Sequence, residues 1–184
     1  MEATDILSSE HRVIERVLTS LETAAVRLEG GEPFRPGFFI QAADFIRGFA
    51  DGCHHKKEEG VLFISMREWG VPQVAGPIGM MLAEHEQGRV YTRAMRSAAE
   101  RLEGGDSSSQ AELVSAAHSY VSLLREHIYK EDNILFPLAQ RVIPLSEQSK
   151  VLEDFEHVEH EDTGEGVHEK FLAIAEALTR DAGS

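Results

Sequence analysis

Apolar residues return at helical spacing along most of the chain, and turn-forming residues separate the runs. Ile6, Leu7, Ile14, Val17, Leu18, Leu21 and Leu28 fall on one side of a predicted helix over about residues 4–28. Gly30-Gly31 stops it, and Pro33 and Pro36 hold the connection. A second helix is predicted over about 37–67, with Phe38, Ala42, Phe45, Ile46, Phe49, Val61, Leu62 and Ile64 on its apolar side; Trp69-Gly70 and Pro72 break it. A third starts near Pro77, a favourable first-turn residue, and runs through Met80, Met81, Leu82, Val90 and Met95 to Leu102. After Gly104-Gly105, Ser109 with Glu112 reads as a capping box for a fourth helix. That helix carries Leu113, Val114, Val121, Leu123, Leu124 and Ile128 to about Leu135, and Pro137 and Pro144 close it. A last segment, about 146–181, is helical in pattern but interrupted at Thr163-Gly164-Glu165-Gly166. No alternating run reads as a strand. The expected fold class is all-α: an up-down-up-down four-helix bundle made of two similar helical hairpins over residues 1–138, followed by an additional C-terminal helix, in one domain.

The two hairpins share more than their apolar pattern. Residues 54–63 read His-His-Lys-Lys-Glu-Glu-Gly-Val-Leu-Phe and residues 127–136 read His-Ile-Tyr-Lys-Glu-Asp-Asn-Ile-Leu-Phe. Aligned without a gap, His54 falls on His127, Lys57 on Lys130, Glu58 on Glu131 and Phe63 on Phe136. A lone His follows a glutamate upstream of each: Glu10-His11 lies 43 residues before His54, and Glu84-His85 lies 42 before His127. A His and a Glu four residues apart share a helix face, one turn apart, and together can grip a metal. Two such pairs plus two lone His would bring four imidazoles (His11, His54, His85, His127) and two carboxylates (Glu58, Glu131) into the core. Two His per metal, with both carboxylates and an oxo, hydroxo or water bridge shared, makes a two-metal site with a position open on each. Imidazole with carboxylate suits iron or manganese, and no cysteine set is present for structural zinc.

Some positions compete. The repeat selects His54–Glu58 over His55–Glu59, and at about 100° per residue His54 lies nearer the Phe39–Ile46–Val61 side, which leaves His55 and Glu59 as solvated or outer groups. It likewise favours Glu131 over Asp132. His118 reads as a surface residue, Tyr120 as a packed tyrosine sharing the face of His127, and Cys53 as a reduced thiol in the packing. The run Glu156-His157-Val158-Glu159-His160-Glu161 reads first as a solvated helix face, with a further metal or a cover over the bundle mouth as the alternative.

Composition narrows the setting. With 32 acidic against 18 basic residues the net charge is −14, which argues against nucleic acid and anionic membrane surfaces as partners. The one cysteine cannot form an intramolecular disulfide and fits a reducing compartment. The start of the chain has no basic region followed by an apolar run, and apolar runs fall short of the ~20 residues of a membrane span. A cytoplasmic protein is expected.

The lone His, the His-x-x-x-Glu followed by Leu-Phe, the second lone His and the second His-x-x-x-Glu-x-x-x-Leu-Phe-Pro together resemble the hemerythrin-like family of HHE cation-binding domains, over about residues 4–138. The C-terminal segment is similar to the extra helix of some bacterial members. The resemblance implies a di-iron centre: two irons, bridged by Glu58 and Glu131, that meet O2 or another small oxidant, with the four His as terminal ligands. It also implies departures. Oxygen carriers have a fifth His four residues from the lone His of the third helix, where this chain has Met81 and Arg89, and a His-x-x-x-x-Asp on the fourth. Two irons more alike and more open would favour peroxide, O2 or nitric oxide chemistry over reversible O2 carriage. The alternative is iron or O2 binding or sensing without turnover, with the C-terminal segment meeting a protein partner or a second copy.

Overall fold

The structure, a computed structural model, describes residues 2–164 and 166–183, without the side chains of 161–163. The predicted break therefore lies partly outside the described residues, at Glu165. Helix α1 (Ala3–Glu29) opens with Asp5 accepting from the Glu2 amide at 2.7 Å and closes at Gly30-Gly31, where Gly31 has φ +81°. The second rod, α2 (residues 36–68), starts with Pro36 in its first turn. It is α-helical over Pro36–Phe45, π-wound over Ile46–His55 and Glu58–Leu62, and α-helical again over Phe63–Glu68. Helix α3 (Pro77–Glu103) is regular. The fourth rod, α4 (residues 110–142), is α-helical over Gln110–Lys130, π-wound over Glu131–Leu135 and α-helical over Phe136–Val142. Helices α5 (Gln148–His157, running into a π turn at Val158–Thr163) and α6 (Val167–Ala182) complete the chain. Among the described residues there is no strand.

Three local readings need correction. Pro137 does not end the fourth helix, because it falls in the first turn after the π turn, where a missing N–H costs nothing, and the rod continues to Val142. Ser109 is no capping box: its hydroxyl donates to the Asp106 carbonyl at 2.7 Å, and Glu112 turns away to Arg101 at 2.5 Å. Ile64 is exposed although the period placed it on the apolar side, and Met80 and Val90 of the third run are exposed as well.

The four rods run up-down-up-down, α1 against α4, α4 against α3 and α3 against α2. The seam between α1 and α2 is filled by α6, which packs on both. Ala175, Leu178 and Ala182 of α6 are buried in the main core, and the Phe171 ring lies so close to Gly48 that a Cβ there would stand 1.8 Å from it. The C-terminal helix is thus part of the bundle rather than an appendage to it.

Two apolar layers result. One holds Ile14, Leu21, Phe38, Phe45, Phe49, Met95, Leu124 and Ile128 among others. The other, toward the start of α1, holds Leu7, Val61, Leu62, Phe63, Met81, Leu135, Phe136 and Phe155. Along each rod, His and Glu fall between the two layers: His11 between Leu7 and Ile14, His54 to Glu58 between Phe49 and Val61, His85 between Met81 and Met95, and His127 to Glu131 between Leu124 and Leu135. A polar slab crosses the bundle with apolar side chains above and below it.

Candidate metal centre

The structure brings all six of His11, His54, Glu58, His85, His127 and Glu131 into this slab, each at most 2% exposed. It brings in a seventh, His55, also buried. The seven form two groups whose ligating atoms lie within 4.8 Å of one another: His11, His54, Glu58 and Glu131 in one, His55, Glu58, His85 and His127 in the other. Glu58 belongs to both groups, and Glu131, a member of the first, also turns an oxygen toward the second. Glu58 turns Oε1 to His54 Nε2 (3.6 Å) and Oε2 to His85 Nε2 (3.4 Å). Glu131 turns Oε2 to His11 Nε2 (3.1 Å) and Oε1 to His127 Nε2 (3.2 Å).

The expectation of His55 as a solvated group is overturned: it is buried and lies in the second ligating group. The reason is the winding: His54 and His55 end a π-helical stretch, whose i→i+5 pairing widens the turn, so a projection at the α-helical angle misplaces them. π turns mark functional sites in many helices, and here three of them touch the slab, the other two beginning at Glu58 and Glu131.

Every one of the five imidazoles presents Nδ1 outward to a carboxylate and Nε2 inward. The pairs are His11–Asp132 (2.8 Å), His54–Glu10 (2.9 Å), His55–Asp51 (2.9 Å), His85–Glu59 (2.7 Å) and His127–Glu84 (2.9 Å). An anionic acceptor on Nδ1 fixes the tautomer, aims the Nε2 lone pair and raises its basicity, the arrangement metal-bound histidines use. The repeat explains the rest of its own residues. Lys57 donates to Glu10 and Lys130 to Glu84, so the motif lysine fastens the carboxylate that holds the motif His. Phe136 stacks on His11 (5.3 Å, 12°) and Phe63 on His85 (6.1 Å, 17°), so each Leu-Phe seats the lone His of the other hairpin.

Charge follows from these contacts. Burial alone would lower the pKa of His11, but its bonds to Asp132 and Glu131 outweigh that and raise it to about 9. In His127 the same contest, won by Glu131 and Glu84, gives about 10. His55 goes the other way: burial, then the neighbouring His85 and His54, push it well below the usual value and keep it neutral. Burial raises Asp51 to about 6 against the pull of Arg89.

Neighbouring residues take other roles. Tyr120 is buried beside Gly88, where helices α3 and α4 approach closely, and its hydroxyl has no partner. Cys53 is buried and donates to the Gly48 carbonyl at 3.4 Å. His118 lies at the outside, 3.5 Å from Glu29. In the acidic run of the C-terminal segment, Glu159 accepts from Lys57 at 3.1 Å, so the run covers the slab at that edge. The Glu161 side chain lies outside the described residues, and among the described ones no third ligating group forms there. Glu10, Glu84 and the two lysines were visible in the repeat, but their roles were not; Asp51 and Arg89 carried no signal.

The donor set passes a test of fit for a cation. Nε2 of His54 and His55, both oxygens of Glu58 and Oε1 of Glu131 are buried without a hydrogen-bond partner. All five carry lone pairs and face one small volume. An unsatisfied buried polar group costs about 1–3 kcal/mol, more when charged, so a shared cation is the economical partner for them.

Residues 2–139 match the hemerythrin HHE cation binding domain. An uncharacterized protein of Mycobacterium tuberculosis (strain ATCC 25618 / H37Rv) is 25% identical over 163 residues, 89% of this chain and 63% of that protein. The iron-sulfur cluster repair protein YtfE of Dickeya chrysanthemi (strain Ech1591) is 28% identical over 140 residues, 74% of this chain and 63% of that protein. The protein of the same name from Yersinia pseudotuberculosis serotype IB (strain PB1/+) is 32% identical over 91 residues, 48% and 41% of the two chains. The chain thus spans less than two thirds of the length of these relatives. No solved structure matches significantly.

Proposed function

Because the chain belongs to the hemerythrin HHE cation-binding domain family, we propose that its slab holds two iron ions and that the loaded protein reacts with a small oxidant: O2, peroxide or nitric oxide. The observation that supports this most is the pair of ligating groups joined by Glu58 and Glu131, each carboxylate turning one oxygen to each group. Two cations would give all five orphaned imidazole and carboxylate atoms a partner at once. Imidazole and carboxylate donors with no thiolate suit iron. Bound iron supplies the electrons that such an oxidant takes up.

The chain's own residues set the conditions for that chemistry. Leu7, Phe49, Val61, Ile128, Leu135 and Phe136 close the slab above and below and exclude bulk water. With the ligating side chains at most 3% exposed, only molecules of a few atoms reach them. A surface pocket of about 680 Å³ lined by Glu29, Gln110, Val114 and His118 contains none of these residues, so a larger substrate held there would not meet the centre. The outward carboxylates hold each imidazole in one tautomer and remain anionic when the metals bind. Glu10 and Glu84 are each fastened by a lysine, Asp132 by Arg12, and Asp51 and Glu59 by Arg89.

Iron-loaded protein is expected to consume peroxide catalytically by disproportionation, or nitric oxide when an external electron donor is supplied, and His54→Ala to lose that turnover. A second reading, iron holding without turnover, is favoured by the likeness to proteins named for iron-sulfur cluster repair. It predicts unchanged oxidant levels together with release of ferrous iron to a chelator.

A further inference from the structure

We propose that His55 is a fifth imidazole ligand, so that His55, His85 and His127 surround one metal while only His11 and His54 surround the other. The proposal rests on the two-metal reading above and adds an inequality that the repeat does not contain. Aligned without a gap, His55 falls on Ile128, a residue of the apolar layer. The extra imidazole is therefore present in one half alone.

Four observations carry it. His55 is 3% exposed, and its Nε2 has no partner. That atom lies in one ligating group with Glu58, His85 and His127, within 4.8 Å of each. Its ring stacks on His85 at 3.8 Å and 16°, and stands nearly perpendicular to His127 at 5.7 Å and 81°. Its Nδ1 donates to Asp51 at 2.9 Å, one turn back on the same rod, which fixes the inward nitrogen as the lone pair. A core histidine kept for packing would need none of this.

The residue at one vacant position of the third helix supports the exchange. Arg89, four residues after His85, does not face the centre; it holds Asp51 at 3.3 Å and Glu59 at 2.8 Å, the two carboxylates that receive Nδ1–H from His55 and His85. Where another chain could place an imidazole on the third helix, this one places a cation that anchors the supports of an imidazole on the second. The π winding of Ile46–His55 lets two consecutive histidines serve two different metals.

The test is competition between the protein and a chromophoric chelator for zinc, and separately for ferrous iron under anaerobic conditions, with circular dichroism as a check on folding. Wild-type protein is expected to take two metals per chain with unequal affinity. His55→Gln, close in volume, should weaken one of the two steps by at least about 100-fold, since loss of an outer partner alone costs 10–100-fold. The other step should stay within a few-fold. Equal wild-type and His55→Gln isotherms, with two metals in each, would overturn the assignment of His55 while leaving the two-metal centre standing. Fewer than two metals in the wild type would remove the centre and the assignment with it. If His55→Gln fails to fold, Mössbauer spectra of the wild type loaded with ⁵⁷Fe decide: two quadrupole doublets of equal area support the proposal, and one doublet contradicts it.

Discussion

The two hairpins carry the same outer bonds in different surroundings. In the first, Glu10 takes His54 Nδ1–H and Lys57, and Lys57 is fully buried because Glu159 of the C-terminal segment covers it. In the second, Glu84 takes His127 Nδ1–H and Lys130, but Lys130 keeps 26% of its side chain in water. The first hairpin also has His55 where the second has Ile128. The shared part is what the proposed two-metal site requires. The unshared parts act on opposite groups: His55 adds an imidazole beside His85 and His127, and the α5–α6 segment dries the Glu10–Lys57 pair behind His54. The duplicated motif builds the frame, and single-copy residues make its halves unequal.

The strongest way to break both halves at once is Glu58→Ala. Glu58 alone among the ligating residues stands in both groups of four, so its loss should reduce metal retained after gel filtration to less than one per chain. Next in size is the contrast between Glu10→Ala and Glu84→Ala. Removing one partner of a buried ion pair costs about 3–5 kcal/mol, and the cost falls as water reaches the pair, as it does at the half-buried Lys130. Urea unfolding of metal-free protein should therefore show Glu10→Ala well below Glu84→Ala in stability; equal losses would mean that Lys57 is no drier than Lys130.

The pH dependence comes third. His11 at about 9 and His127 at about 10 lie above the ordinary value of about 6.5, so both are protonated near pH 7 in the metal-free protein. Their contribution to stability is complete below about 6.5 and is lost as pH rises through 9 and 10, so metal-free protein should weaken from pH 7 to 10. Metal must displace both protons. Loading at pH 7.5 in weak buffer should release at least two protons per chain, and affinity should rise with pH. The smallest effect is that of Glu159→Ala, which removes one of two partners of Lys57 and should cost about 1 kcal/mol while leaving the second hairpin's binding unchanged.

Much of this was legible in the chain. The periodic apolar runs, closed by Gly30-Gly31, Trp69-Gly70 and Gly104-Gly105, place the four rods, and the repeat picks out the six residues that meet in the slab. What escaped depends on departures from the ideal helix or on tertiary contact. His55 was misplaced because a π turn changes the angle between neighbours, and no residue type announces one. The helix past Pro137 escaped for the same reason. That α6 enters the α1–α2 seam depends on Phe171 meeting Gly48, a contact 123 residues apart. The outer carboxylates were visible as Glu10 and Glu84, but only packing shows that each reaches the His of its hairpin's other helix.

The central claim is that this slab is a two-iron site, and iron content per chain after anaerobic reconstitution with ferrous iron and desalting tests it most directly. The account predicts close to two irons per chain in the wild type, with near-ultraviolet and visible charge-transfer bands after exposure to air that are absent in Glu58→Ala. Protein that folds but retains no iron and shows no bands would contradict it.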